Sequence, residues 1–457
     1  MNSRWLLHKA RGLWCRDQVS DDAITTARTS LRARIVRATT GRDRVLDAVK
    51  AFALIAVVVG HSLAWHIAPD GTPINVVETA PKLVGLTWMF QVLPMFFAAG
   101  AVSNMGSWQR YGPREFWRSR TRGLLGPVLV YAGVWTVLLL TVTAALGPSA
   151  SSDVVAAGRF LSFLLWFAGV YLLVVTAVPL TARWRNRPVL TLSAWFAVIV
   201  VVDVARIGGA PAWVGWCNLL LVWGWLHQWG YLLPTLRTQP AWRMLLAIVF
   251  ALMGAVSLAF VGPYSSSLIT VAGDPELSNL SPPSVVLALY GVAQICAIGV
   301  LWRLLGNFFS HDAAWLPVAI IGARAMGIYL WHIPIVAAAV LSAAALGFRA
   351  APLTPLWWMV HLAVVVVVLF GAWLVAGVAG GVVSRLDKWP GLWCVQPLAA
   401  AIVGGVVVLS ITATGFGTWW GPGALGIPAS ACVNLVILGL VWQAVARPSA
   451  RADQAEG

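Results

Sequence analysis

Asp47–Ile67 reads DAVKAFALIAVVVGHSLAWHI, an apolar run of helix length, entered through an acid and a base and interrupted by a histidine. At about 100° per residue, the eleven steps from Lys50 to His61 leave roughly 20° of net rotation, and the fourteen from Asp47 roughly 40° the other way. Asp47, Lys50 and His61 therefore share one stripe. With a rise of about 1.5 Å per residue, a span entered at Lys50 carries His61 about 16 Å deeper, near mid-bilayer. His66, five residues on, is expected about 140° round the same helix. An ionisable side chain at that depth is costly and usually faces a bundle interior or a water-filled cavity. The plainer alternative is a histidine that bonds a neighbouring helix and only holds the bundle together.

Composition points the same way. In 457 residues the hydrophobic fraction is 60% and the charged fraction 10%, with a mean hydropathy of +0.81; these values describe an all-α polytopic membrane protein, not a soluble globule. The net charge of +15 does not imply nucleic acid, because the basic residues stand at the ends of apolar runs, as membrane anchors do. Five cysteines lack paired or metal-type spacing, which argues against a disulfide framework. There is no His-x-x-x-His, no Cys-x-x-Cys and no deep carboxylate cluster, so no metal is expected. A Gly-x-Ser-x-Gly elbow is also missing, which removes a serine nucleophile of that type.

Hydropathy predicts about twelve spans, near residues 50–67, 83–104, 124–146, 160–181, 188–206, 212–232, 243–262, 284–306, 316–340, 357–383, 397–415 and 427–445. Every second loop is basic, including Gly106–Gly123, Arg183–Arg187 and Leu236–Arg243. The loops between them hold Asp70, Glu78, Asp153, Asp274 and Glu276, with little positive charge beyond Arg349. Because cytoplasmic loops carry the excess of Lys and Arg, this alternation predicts both termini in the cytoplasm. The first 44 residues read as a basic cytoplasmic arm whose stretch Ala23–Arg37 suits anionic lipid. Tryptophans near span ends, among them Trp357, Trp358, Trp419 and Trp420, read as interfacial belt residues.

Several motifs carry a resemblance. Arg42–Lys50, RDRVLDAVK, followed by Lys50-x10-His61, resembles the opening motif of the membrane-bound acyltransferase 3 family. PMFFAAGAVSN (Pro94–Asn104) and REFWRSRTRGLLGP (Arg114–Pro127) are similar to that family's Phe-Phe-Gly span and the arginine-rich stretch after it. Ala99 stands where many relatives have Ser, and Gly123 where another Arg is common. Leu164–Leu180, Trp216–Leu232 and IYLWHIPIV (Ile328–Val336) are also similar to family elements. The resemblance spans roughly 42–386. It implies a basic arm at 1–44, a ten-helix acyltransferase core at 45–386, two further C-terminal spans at 387–446 and a cytoplasmic tail at 447–457.

The same resemblance, taken with the residues, sets the expected chemistry. An acyl group, acetyl above all, would pass from acyl-CoA on the cytoplasmic side to a hydroxyl of a cell-envelope glycan, lipid-linked sugar or small molecule. His61 would be the general base, since an imidazole's unperturbed pKa suits proton transfer at neutral pH. His332 would be a second polar group for the oxyanion or the acceptor, in a sector shared with Arg324 and Tyr329. Lys50, Arg118, Arg120 and Arg122 would hold the donor phosphates, for which a guanidinium offers a planar fork of donors. As plain topology anchors, the same arginines need no ligand. Asp203 and Arg206, at i and i+3, read as an ion pair capping the fifth span. Asn218 and His227 read as cross-helix hydrogen-bonding residues. The rival class is a proton-coupled transporter or lipid flippase running a relay through His61, His332 and Arg324. Oligomeric state, including a homo-oligomer, is left open by the sequence.

Overall fold

The computed structural model describes residues 32–68, 71–147, 151–270, 277–389, 396–418, 421–422 and 428–445. Most of the expected arm, with Trp419, Trp420, Asp70, Asp274 and Glu276, lies outside them. Residues 32–38 are helical, and Arg32 pairs with Asp312 at 3.5 Å.

The first long helix, α1 (Arg44–Ala64), begins because Asp43 accepts hydrogen bonds from the Val45 and Leu46 amides, groups with no partner inside the helix. It ends at Ala64, three residues short of the expected boundary. Trp65–Ile67 (β1) instead turns back on Pro73–Asn75 (β2), with His66 opposite Ile74. Gly71, at φ +92°, allows the reversal, so His66 lies on a strand and not on the His61 helix.

After α2 (Val84–Phe90) comes α3 (Leu93–Leu146), about 81 Å of helix at 1.5 Å per residue. That is far more than the roughly 30 Å of a hydrocarbon core. It is two helices joined at Gly112, whose φ of +74° and ψ of 171° precede Pro113. The two halves fold back on each other: the Arg120 guanidinium donates to the Ser103 carbonyl, seventeen residues earlier, at 3.4 Å. The spans expected at 83–104 and 124–146 lie on these halves.

The chain continues as α4 (Ser151–Ser162), α5 (Leu165–Thr176), α6 (Val178–Trp184), α7 (Pro188–Ile207), α8 (Asn218–Gly230), α9 (Ala241–Phe260), α10 (Val285–Ser310), α11 (Asp312–Ala323), α12 (Ala325–Ala345), α13 (Pro355–Leu386), α14 (Pro397–Thr414) and α15 (Ala431–Ala444). Eight of the described helices are long and apolar enough to cross a membrane, or nine when α4 and α5, bent by 42°, form one span. Outward faces carry exposed Leu246, Phe250 and Met253 on α9 and Leu362, Val366 and Phe370 on α13, as lipid-facing helices do. Trp357 departs from the expected belt: it is only 1% exposed and stacks on His361 at 4.1 Å.

Small residues let the inner helices approach closely. A Cβ added to Gly169 of α5 would lie 3.0 Å from the Gly405 carbonyl of α14. Buried Asp203 does more than pair with Arg206 at 3.6 Å. It accepts from Asn218 at 3.0 Å, from the Tyr264 hydroxyl at 2.9 Å and from the Val285 amide at 2.7 Å. Asn279 donates to the Ser265 and Ser267 carbonyls, and Gln91 to that of Leu268. Together these bonds tie the segment between α9 and α10 into the bundle.

Candidate active site

His61 Nδ1 lies 2.9 Å from His332 Nε2, with the rings stacked at 5.2 Å between centroids. On its other side, His332 Nδ1 sits 2.6 Å from the Tyr329 carbonyl oxygen. A carbonyl oxygen only accepts, so Nδ1 of His332 carries a proton and the neutral ring presents a lone pair at Nε2. His61 Nδ1–H donates to that lone pair, and the vacant site of the dyad is His61 Nε2. His332 is fully buried, whereas His61 keeps accessible surface deep in the bundle.

The bend between α4 and α5 holds the facing wall. Its Leu161 carbonyl accepts from the Tyr131 hydroxyl at 2.9 Å, and its Leu164 carbonyl accepts from the Tyr329 hydroxyl. Between those two anchors, the Phe163 ring meets His61 edge-on at 6.2 Å. Tyr329 thus links the bend to His332 through its hydroxyl and its carbonyl.

At the Lys50 end of the same helix, the ammonium donates to Ser103 Oγ at 2.7 Å and to Asp47 at 3.3 Å. Arg120 reaches the carbonyl of the same serine, so two cations from different helices converge on Ser103. The other two arginines diverge from it. Arg118 pairs with Glu115 at 3.4 Å, while Arg122 donates to the Asp387 carboxylate at 2.9 Å and lies over the Trp442 ring at 4.9 Å. Spacing by two on a helix puts Arg120 about 200° from Arg118 and brings Arg122 back to within about 40° of it, which is why Arg120 stands apart from the other two. Each keeps one buried nitrogen without a partner: Nε of Arg118, Nε of Arg120 and a terminal nitrogen of Arg122. A guanidinium nitrogen in that position has donor capacity for an anion.

Between the two ends, three helices supply aligned faces. Lys50, Val57 and His61 line α1; Ser103, Gly100 and Phe96 line α3; Tyr171 and Phe167 on α5, continued by Phe163, complete the wall. Lys50, Val57, His61, Phe96, Ser103, Tyr171 and Phe163 are all only partly buried. These side chains form a row from the paired cations to the paired histidines, about 16 Å along α1. Reasoning from sequence alone misses Ser103, Phe163 and Tyr171 as site residues. Their signal is the i, i+4, i+7 spacing of Phe96, Gly100 and Ser103 and the i, i+4 spacing of Phe167 and Tyr171.

Arg324 is not part of this row, for it donates to the Trp373 carbonyl at 3.1 Å and stacks on that indole at 4.0 Å. His227 Nε2 lies 3.3 Å from Asn104 Nδ2. No curated protein and no solved structure matches the chain. The family comparison does find one: residues 43–377, most of the chain and the whole of this row, match the acyltransferase domain of the acyltransferase 3 type. With that match laid over a helical, lipid-facing bundle, the chain belongs to the acyltransferase 3 family and is a membrane-bound acyltransferase.

Proposed function

We propose that this enzyme takes an acyl group, preferentially acetyl, from acyl-CoA at the cytoplasmic face of the plasma membrane and transfers it to a hydroxyl of a cell-envelope glycan, lipid-linked sugar or small molecule. The observation that carries the reading is the 2.9 Å contact between His61 and His332 with His332 Nδ1 bound to a carbonyl. It leaves His61 Nε2 as an oriented base in a water-poor site. Nε2 takes the acceptor's hydroxyl proton as that oxygen bonds to the thioester carbon. The carbon–sulfur bond then breaks, and the proton returns to the leaving thiolate.

The residues at the Lys50 end fit the donor's phosphates. An ammonium and a guanidinium meet at one serine, and Arg120 Nε has no partner there. Arg118 and Arg122 add charge to the same end without joining that contact. Basic loops at this end support a cytoplasmic assignment for it and for both termini. A proton relay for transport has less support, since His332 Nδ1 ends on a main-chain carbonyl and Arg324 is bound elsewhere.

The test is to incubate membranes containing the protein with labelled acetyl-CoA and follow label into glycan and lipid extracts. His61→Ala, inserted at normal levels, is expected to lose roughly 10²- to 10⁴-fold in rate, the worth of a positioned base. Full turnover by that variant refutes the assignment. Absence of any label transfer by the unaltered protein, with substrate flux into sealed vesicles instead, moves it to the transporter class.

A further inference from the structure

The bend between α4 and α5 is pinned on both sides of Phe163. The Leu161 carbonyl accepts from the Tyr131 hydroxyl of α3 at 2.9 Å, the Ser162 hydroxyl lies 3.4 Å from the Thr412 carbonyl of α14, and the Leu164 carbonyl accepts from the Tyr329 hydroxyl of α12. Three helices thus grip residues 161, 162 and 164, and what the bend presents between them is the Phe163 ring, edge-on to His61 at 6.2 Å. That separation is the one found between directly packed rings. On the Lys50 side of Phe163 the wall continues through Phe167 and Tyr171 of α5. On the opposite side it continues through two more rings. Phe160 lies 5.8 Å from Phe163, and Trp65, just past the end of α1, meets Phe160 edge-on at 5.3 Å.

We infer that Phe163, backed by Phe160 and Trp65, sets the length of the acyl group by stopping it at acetyl, and that Tyr329 is the positioning residue that holds Phe163 in place. The inference rests on the acyl-CoA reading proposed for this site. A donor whose phosphates sit at Lys50 brings its thioester to His61 from that side. Its acyl end therefore points onward, in the direction of Trp65, and meets the rings. Acetyl ends one methyl beyond the reacting carbon. Every further methylene has to enter space that the Phe163 ring fills, and a packed ring whose backbone is held from three helices yields only at a cost.

Chain-length profiles test this, because a ratio of two donors within one preparation does not depend on how much of a variant folds. Membranes containing the full-length protein are given acetyl-, butyryl- or hexanoyl-CoA labelled in the acyl group, and kcat/KM for each donor is read from label entering glycan and lipid extracts. The unaltered protein is expected to prefer acetyl. Phe163→Ala is expected to raise the butyryl-to-acetyl ratio at least tenfold, the discrimination that one methylene supplies in a pocket. Phe163→Leu, which disturbs packing less, should raise it by a smaller factor. Tyr329→Phe keeps the main-chain carbonyl that His332 bonds and frees only the bend; it should shift the ratio the same way, and an unshifted ratio there removes the positioning role. An unchanged ratio in the Phe163 variants, or an unaltered protein that takes hexanoyl as readily as acetyl, overturns the assignment while acyl transfer itself stands. If the unaltered protein transfers no acyl group from any of the three donors, the donor reading itself fails, and this one with it.

Discussion

His332 decides what His61 can do. With its Nδ1 proton committed to the Tyr329 carbonyl, its part in the proposed reaction is to accept from His61 and hold that ring in one tautomer. The expected outcome for His332→Ala is a fall in kcat of roughly ten- to a hundredfold, the worth of one hydrogen bond to a group that becomes charged, with donor affinity unchanged. Steady-state kinetics on membranes check this, and a change confined to donor KM would contradict it. That His61 turns towards other helices was legible from residue spacing, since helix geometry is local. Its partner was not: His332 stood out as an intramembrane histidine, but the pairing joins residues 271 apart in the chain and depends on how α1 and α12 pack. The stripe shared by Asp47 and Lys50 agrees with their 3.3 Å ion pair, whereas the partners of Arg120 and Arg122, the Ser103 carbonyl and Asp387 with Trp442, come from chain segments that local spacing does not reveal.

Among elements, the segment between α9 and α10 shows what hydropathy does not see. Its hydroxyls and amides read as an ordinary polar loop, yet Asp203 holds it from below through Tyr264 and Val285. Burial, together with the Asp203 carboxylate, pushes the Tyr264 phenol well above its ordinary pKa, so it stays a donor at any physiological pH. Asp203→Ala removes the acceptor of several buried donors at once and is expected to cost about 3–5 kcal/mol, read as a lower thermal midpoint in detergent. Activity per folded molecule should persist, because Asp203 bonds Asn218, Tyr264 and Val285 and neither histidine of the dyad; a stable but inactive variant would show that the segment shapes the site. The fold of α3 at Gly112 was likewise hidden. The run 106–123 reads as a basic loop, whereas it is nearly all helix with a single reversing glycine.

For the molecule as a whole, the matched domain ends at 377, but packing does not. Helices α14 and α15 contribute Gly405 against Gly169, Gly404 against Leu125, and Trp442 beneath Arg122. Gly405→Val would force a side chain into Leu173, 2.7 Å from its Cβ, and is expected to cost about 1–3 kcal/mol as overpacking. Thermal unfolding in detergent checks the loss, and an unaffected midpoint would mean that α14 rests loosely on α5. The apolar runs of these helices were plain in the sequence; that α14 packs directly on α5 was not, because close approach at glycines leaves no periodic trace. Residues 397–445 emerge from the ribosome only after the whole of 43–377. The wall bearing Phe167 and Tyr171 therefore gains its backing late in synthesis. A nascent chain stalled before that point would hold the paired histidines beside an unbraced wall.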